Sequence, residues 1–282
     1  NVDTPDKDGK TPLYIAVEHN RAEVITALLN AGADASIKTS SWWGTTALEK
    51  AKEKVKEYEK LRTGQHDSFG KEAIAGYREV IRLLEAHFKQ YPKGVKPLAT
   101  MNAGLVLSIK SSNASEQKGP PVLAQFNHSS ISSSSSQKGQ GDTCSASRPA
   151  AGLIEAIKQN NQEEVFRLLA LKTDHSGKKF IDEVDLDREG SPLYWAAECG
   201  YIHFIGMLLK AGADINKPTK NGATPVYVAA FNGHAPAIAA LHVAGANVNT
   251  SNKDGATPVY VAAFNGHASA ITALHAADAN VN

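Results

Sequence analysis

A 33-residue period constrains this chain more than any other feature. GATPVYVAAFNGHA at Gly222–Ala235 recurs letter for letter at Gly255–Ala268. The stretches Gly222–Asn249 and Gly255–Asn282 differ only at Pro236/Ser269, Ala239/Thr272, Val243/Ala276 and Gly245/Asp278. One period earlier Ser191 opens SPLYWAAECGY, and near the start Thr11 opens TPLYIAVEHN. A fixed period of this length means stacked units, none of which can bury its apolar face alone.

Local chemistry within a unit predicts two short helices. In the first unit Asp6-Lys7-Asp8-Gly9 reads as a turn. Thr11 can cap a helix whose first turn holds Pro12, where a missing N–H costs nothing. Leu13 and Ala16 should face inward. Val24, Ile25, Leu28 and Leu29 give a second helix its apolar stripe. Gly32 suits the left-handed end of that helix.

The Gly-x-Thr-Pro-Leu/Val opening, the helix pair and the Ala-Gly-Ala-Asp/Asn close resemble the ankyrin repeat. The resemblance implies an all-α solenoid of helix-turn-helix repeats of about 33 residues, in two blocks. Block 1 is expected at residues 1–91, with a regular repeat at 4–36 and an altered one at 37–91. There Gly44-Thr45-Thr46-Ala47-Leu48 replaces the usual opening, with Ala47 in place of proline. About 21 extra residues separate its two helices, which should therefore be long. The charged run Lys50–Lys60 reads as a solvated helix face with i,i+4 pairs. A partner-binding coiled coil would need a sustained heptad seam, and none is present.

Residues 92–150 break the pattern. Ser129–Ser136 is almost pure serine, and such a segment buries too little apolar surface to offset its ordering entropy. It reads as a disordered linker, with apolar islands at Leu105–Ile109 and Val122–Phe126. Block 2 follows at 151–282. A capping repeat at 151–185 is recognised by LIEAIKQNNQEEVFRLL, and repeats follow at 186–218, 219–251 and 252–282. Whether the two blocks stack on each other is open at this level. The chain starts and stops at the same phase of the period and lacks an initiating Met, so we expect a piece of a longer array.

Composition narrows the function. Formal net charge is +1, which disfavours a basic nucleic-acid binder. Gly222–Asn282 holds only Lys253, Asp254 and Asp278 as charged residues. No apolar run approaches the roughly 18–20 residues a membrane span needs. Two cysteines, Cys144 and Cys199, make no disulfide framework, so a cytoplasmic setting is expected. No phosphate loop, dinucleotide fingerprint or hydrolase motif occurs. His234/His267 and His242/His275 recur one period apart, too far to share a zinc ion across stacked helices. Asp185–Gly190 resembles the start of a calcium loop, but Ala196 stands where that loop wants its glutamate. No metal, cofactor, small-molecule ligand, nucleic acid or membrane partner is therefore expected.

Comparing repeats separates recurrent positions from variable ones. Thr-Pro, the following Leu or Val, Tyr14/Tyr194/Tyr227/Tyr260 and the Gly before the second helix recur, as framework. Variable residues fall at the loop tips and at the end of the first helix. In the family these positions contact partners. The resemblance thus implies a protein-binding site at Trp195, Glu198, Lys220, Phe231, Asn232, Lys253, Phe264 and Asn265, with Phe231 and Phe264 as its centre. The alternative role for Phe231 and Phe264 is packing on the next repeat's first helix. The expected function is a non-catalytic scaffold or adaptor, not an enzyme. The alternative is the targeting arm of a multidomain enzyme or secreted effector whose catalytic domain lies elsewhere. In the effector case the setting is a host cytosol, since near-duplicate repeats with a Ser-rich linker are similar to ankyrin proteins of protists and intracellular bacteria. The near-identity of the last two repeats also fits a recent duplication, which would copy Phe231 into Phe264 without selection for a pair.

Overall fold

Four helix starts share one chemical device. Thr11, Ser191, Thr224 and Thr257 are all buried, in extended backbone. Their hydroxyls accept the N–H of Tyr14, Tyr194, Tyr227 and Tyr260 at 3.2–3.3 Å. Each cap satisfies a helix N–H that would otherwise have no partner, and the proline behind it needs none. The altered repeat reaches the same end differently. Thr46 N–H donates to Glu49 Oε2 at 2.7 Å, and Glu49 N–H donates to Thr46 Oγ1 at 3.2 Å. This reciprocal pair compensates for the loss of the Thr-Pro opening. The two hydrogen bonds from Thr46 hold the Glu49 carboxyl below the usual carboxylate range.

The structure is a computed structural model that describes residues 2–40, 44–61, 68–95, 149–171, 181–185 and 189–279. Among these residues there are twelve α-helices and no strand. They run α1 Pro12–Glu18, α2 Ala22–Asn30, α3 Ala47–Leu61, α4 Ser68–Gln90, α5 Pro149–Lys158 and α6 Gln162–Leu171. Then come α7 Pro192–Glu198, α8 Ile202–Lys210, α9 Pro225–Phe231, α10 Ala235–Val243, α11 Pro258–Asn265 and α12 Ala268–Ala279. Most of the expected linker, with its serine run, its two apolar islands and Cys144, lies outside the described residues.

Spatial order differs from chain order. An inner row of helices packs in the order α5, α7, α9, α11, α1, α3. The outer row packs as α6, α8, α10, α12, α2, α4. The last repeat therefore lies against the first, and the two ends of the chain form one stack of six helix pairs. The join reproduces the contacts made inside the array. Asn247 N–H donates to Asn216 Oδ1 at 2.9 Å, and Asp214 N–H to Asp182 Oδ1 at 2.8 Å. Beside the join, Asp34 N–H donates likewise to Asp3 Oδ1 at 3.0 Å. Val2 lies with Val259, Ile271 and Leu274, where the array elsewhere buries Val248.

One glycine position shows why repeats approach so closely. Gly200, Gly233 and Gly266 turn the chain between helices with φ of 71°, 76° and 89°. A Cβ there would come within 2.8 Å of the His234 ring, 2.6 Å of the His267 ring and 3.2 Å of Arg21 Nε. Arg21 thus takes the histidine's place at the join. Asn20 and Asn160 make the equivalent turn at φ 55° and 54°, a conformation asparagine tolerates better than most residues.

The core runs the length of the stack. Leu13, Ile25, Leu28, Leu153, Leu193, Phe204, Leu208, Ile238 and Leu84 are all essentially inaccessible. Each such side chain contributes about 1.5–3 kcal/mol by burial, before the entropy of ordering is set against it. Ala237 and Ala270 occupy core positions that hold Val24 and Phe204 in other repeats. The lengthened pair α3 and α4 spans 15 and 23 residues. Only Ala47 and Ala51 of α3 are buried, so most of that helix overhangs the stack. Lys52–Glu85 at 2.8 Å and Arg78–Glu59 at 3.2 Å tie the overhang together.

Candidate protein-binding surface

The inner row ends in a line of variable residues. Glu198, Phe231 and Phe264 stand at equivalent positions of α7, α9 and α11, and Glu18 continues the line on α1. The stacking thus sets two neighbouring phenylalanines between two glutamates. That order cannot be read along the chain, where Glu18 precedes Glu198 by 180 residues.

Phe231 is 46 % exposed and Phe264 44 %, on helices whose neighbouring residues are buried. Large aromatic rings left half in water on a rigid helix carry a cost that a partner's surface would remove. The two rings are not equivalent. The His19 ring meets Phe264 edge-on at 4.6 Å, so Phe264 does pack against the next inner helix while keeping nearly half its surface open.

A cleft of about 390 Å³ lies before Phe231. Tyr194, Glu198, Thr219, Lys220, Asn221, Tyr227, Phe231 and Asn252 are among its walls. It brings together three residues singled out from sequence: Glu198, Lys220 and Phe231. Lys220 Nζ is 3.7 Å from Glu189, a solvated pair worth under about 1 kcal/mol. Lys253 belongs to the next loop, whose backbone N–H donates to Asn221 O at 2.9 Å. Trp195 stands apart from the cleft. Lys158 Nζ, from the preceding inner helix, sits 3.6 Å from its ring centroid, so that ring is engaged in a cation–π contact at the edge of the stack. Asn232 and Asn265 bond back to their own helices, donating to Val228 O at 3.1 Å and Val261 O at 3.0 Å.

The recurrent tyrosines have a role that recurrence alone concealed. Tyr227 accepts from Asn252 Nδ2 at 3.1 Å, and Tyr260 donates to Asp6 Oδ2 at 2.7 Å. Each reaches forward to the loop of the next repeat and fixes the tip against the helix row. Tyr194 and Tyr227 also wall the cleft. The sequence signal was present, a tyrosine at a constant distance from Asp6 or Asn252 in the loops, but it reads as packing until neighbours are known. Burial, helped by the Asp254 charge, pushes the Tyr227 hydroxyl up to about 12. Burial and the bond to Asp6 push Tyr260 higher still.

The other singled-out groups are structural. His234 Nε2 lies 3.0 Å from Glu198 O and joins its repeat to the one before. Asp185 Oδ1 accepts Gly190 N–H at 3.0 Å and closes an ordinary turn, while residues 186–188 lie outside the described residues. Cys199 follows α7 as its C-cap, and burial, with the Glu198 charge, pushes its thiol up, away from the reactive thiolate. Among the described residues no group of three or more His, Cys, Asp or Glu stands in position to hold a metal ion. No helix among them is long and apolar enough to cross a membrane.

Helix pairs stacked in one direction, with loop tips clamped to an inner helix row, define a helical-repeat solenoid. The family model for three ankyrin repeats matches residues 208–282, and that for a single ankyrin repeat matches 8–40 and 190–220. The chain is an ankyrin-repeat protein. Ankyrin repeats are in general modules of protein–protein interaction. No curated protein matches the chain. The overhanging pair α3 and α4 and the pair α5 and α6 fall outside the matched segments.

Proposed function

We propose that the chain is a non-catalytic scaffold or adaptor that grips one partner protein across its inner helix row and loop tips. Phe231 and Phe264 are the centre of that surface. Glu198, Lys220 and Lys253 frame it, Trp195 lies at its far end against Lys158, and Asn232 and Asn265 offer their remaining carbonyl oxygens. The observation that carries this reading is the pair of half-exposed phenyl rings on consecutive rigid helices, bracketed by glutamates. A partner that fits supplies an apolar segment over the rings.

Capture of partners by the full chain tests it. Truncating both rings, Phe231→Ala with Phe264→Ala, removes apolar area that is half in water. Each truncation should cost about 1–2 kcal/mol of binding, or about five- to thirtyfold. The control is Val243→Ser, an 86 % exposed residue on the outer row. An unchanged partner set after the double truncation, or an equal loss with Val243→Ser, overturns the reading.

A further inference from the structure

The overhang of α3 and α4 builds a second cleft that an ordinary repeat could not have. Its volume is about 370 Å³, and its walls are Glu18, His19, Asn20, Tyr58, Glu72 and Tyr77, with Ala73. Tyr77 is buried, and its hydroxyl donates to Glu18 O at 2.8 Å. That bond does for this repeat what His234 does for Glu198, so the cleft floor is fixed to the end of α1. Tyr58 lies face to face with Tyr77 at 5.9 Å between ring centroids and 29° between planes. Without the extra residues, neither Tyr58 nor Glu72 would overhang the end of α1.

The lining has one kind of charge. Among the described residues its walls carry Glu18 and Glu72 beside His19, and no Lys or Arg. The nearby cations are already engaged: Lys10 with Glu18 at 3.1 Å, Lys54 with Glu57 at 2.9 Å, and Arg78 with Glu59 at 3.2 Å. Asn20 Oδ1 is buried at the same wall with no hydrogen-bond donor. The cleft therefore offers an aromatic face, the Glu72 carboxylate next to a Glu18 that already holds Lys10, and a buried amide oxygen that lacks a donor. A planar cation with several N–H donors matches that set: a guanidinium can stack on tyrosine and pair with a carboxylate at once.

We propose that this cleft takes an arginine side chain of the same partner whose apolar segment covers Phe231 and Phe264. The inference rests on that reading of the inner row. His19 links the two sites, because it lines the cleft and touches Phe264. One helix spacing of about 8–10 Å separates them, the reach of roughly three residues of extended chain. The partner's arginine follows its apolar anchor by about that number.

The test needs no partner. Full-length, ¹⁵N-labelled protein is titrated with N-acetyl-arginine methylamide and, separately, with its neutral isostere N-acetyl-citrulline methylamide. The arginine probe should shift the amides of His19, Ala73 and Tyr77 along a saturating curve, and citrulline should bind at least about tenfold more weakly. Glu72→Gln should weaken the arginine probe about three- to tenfold, with unchanged spectra elsewhere. Because Glu72 is exposed, this variant should not disturb folding. Equal binding of citrulline, a drift that does not saturate, or indifference to Glu72→Gln overturns the proposal. Failure here leaves the Phe231 and Phe264 capture result intact, and failure of capture leaves this titration readable.

Discussion

Tyr260 reports on the join between the last repeat and the first. Its hydroxyl donates to Asp6 Oδ2 at 2.7 Å across 254 positions of sequence. Asp6 Oδ1 is already occupied by the N–H groups of Asp8 and Lys10, so the tyrosine serves the other oxygen. A bond to an ionised partner is worth about 1.5–3 kcal/mol when sheltered. Both groups here are only partly buried, so the lower end applies, about 1.5 kcal/mol for Tyr260→Phe. Tyr227→Phe is the internal comparison, since it loses a neutral donor, Asn252, at 3.1 Å and should cost about 0.5–1 kcal/mol. Urea unfolding followed by circular dichroism and tryptophan fluorescence gives both values. The sharper form is a double-mutant cycle with Asp6→Asn, where coupling of about 1 kcal/mol is expected. Strict additivity would refute the reasoning, because it would mean that the loop of the first repeat does not rest on the last.

Other outcomes follow from the same contacts. Tyr227 titrates near 10 when unfolded and is pushed up to about 12 in the fold, so the folded state holds its proton longer. Stability should therefore be full below pH of about 10 and fall as pH rises toward about 12, and Tyr227→Phe should flatten that fall in pH-dependent urea midpoints. His242 stands where Leu29 and Leu209 close the second helix of other repeats, and it is half-buried. His242→Leu should raise the urea midpoint by the equivalent of about 0.5–1 kcal/mol, and no rise would count against the alignment of repeats.

Repeat identity was legible because its causes are local. Thr11, Ser191, Thr224 and Thr257 cap helices within three residues, and Gly32 and Gly200 set turns by their own backbone freedom. The lengthening of α3 and α4 followed from counting residues between recurring motifs. The Thr46–Glu49 cap is equally local, a Thr-x-x-Glu that stands in the sequence behind the lost Thr-Pro opening. What sequence could not supply was neighbourhood across the join. Asp6 and Tyr260, or Glu18 and Phe264, become neighbours only through the shapes of two end faces. The Phe231 and Phe264 pair was visible as repetition, but its bracket of glutamates, and the cleft beside Glu18, depend on that spatial order. Trp195 looked like an open aromatic from its position, yet Lys158 covers it from the preceding repeat, a contact that helix periodicity does not predict.

The phenylalanine surface on the last repeats and the cleft at the end of α1 can serve one partner only if the two ends of the chain form one continuous inner face. Lys7 Nζ and Asp254 Oδ1 are 3.2 Å apart at that join, and both side chains are well exposed. Zero-length carbodiimide coupling of the native full chain, followed by peptide mass spectrometry of the monomer fraction, should yield a Lys7–Asp254 isopeptide. Lys52–Glu85, at 2.8 Å inside the overhang, serves as the internal standard. Both linkages in one monomer are the expected result; a Lys52–Glu85 linkage without Lys7–Asp254 would contradict the stack.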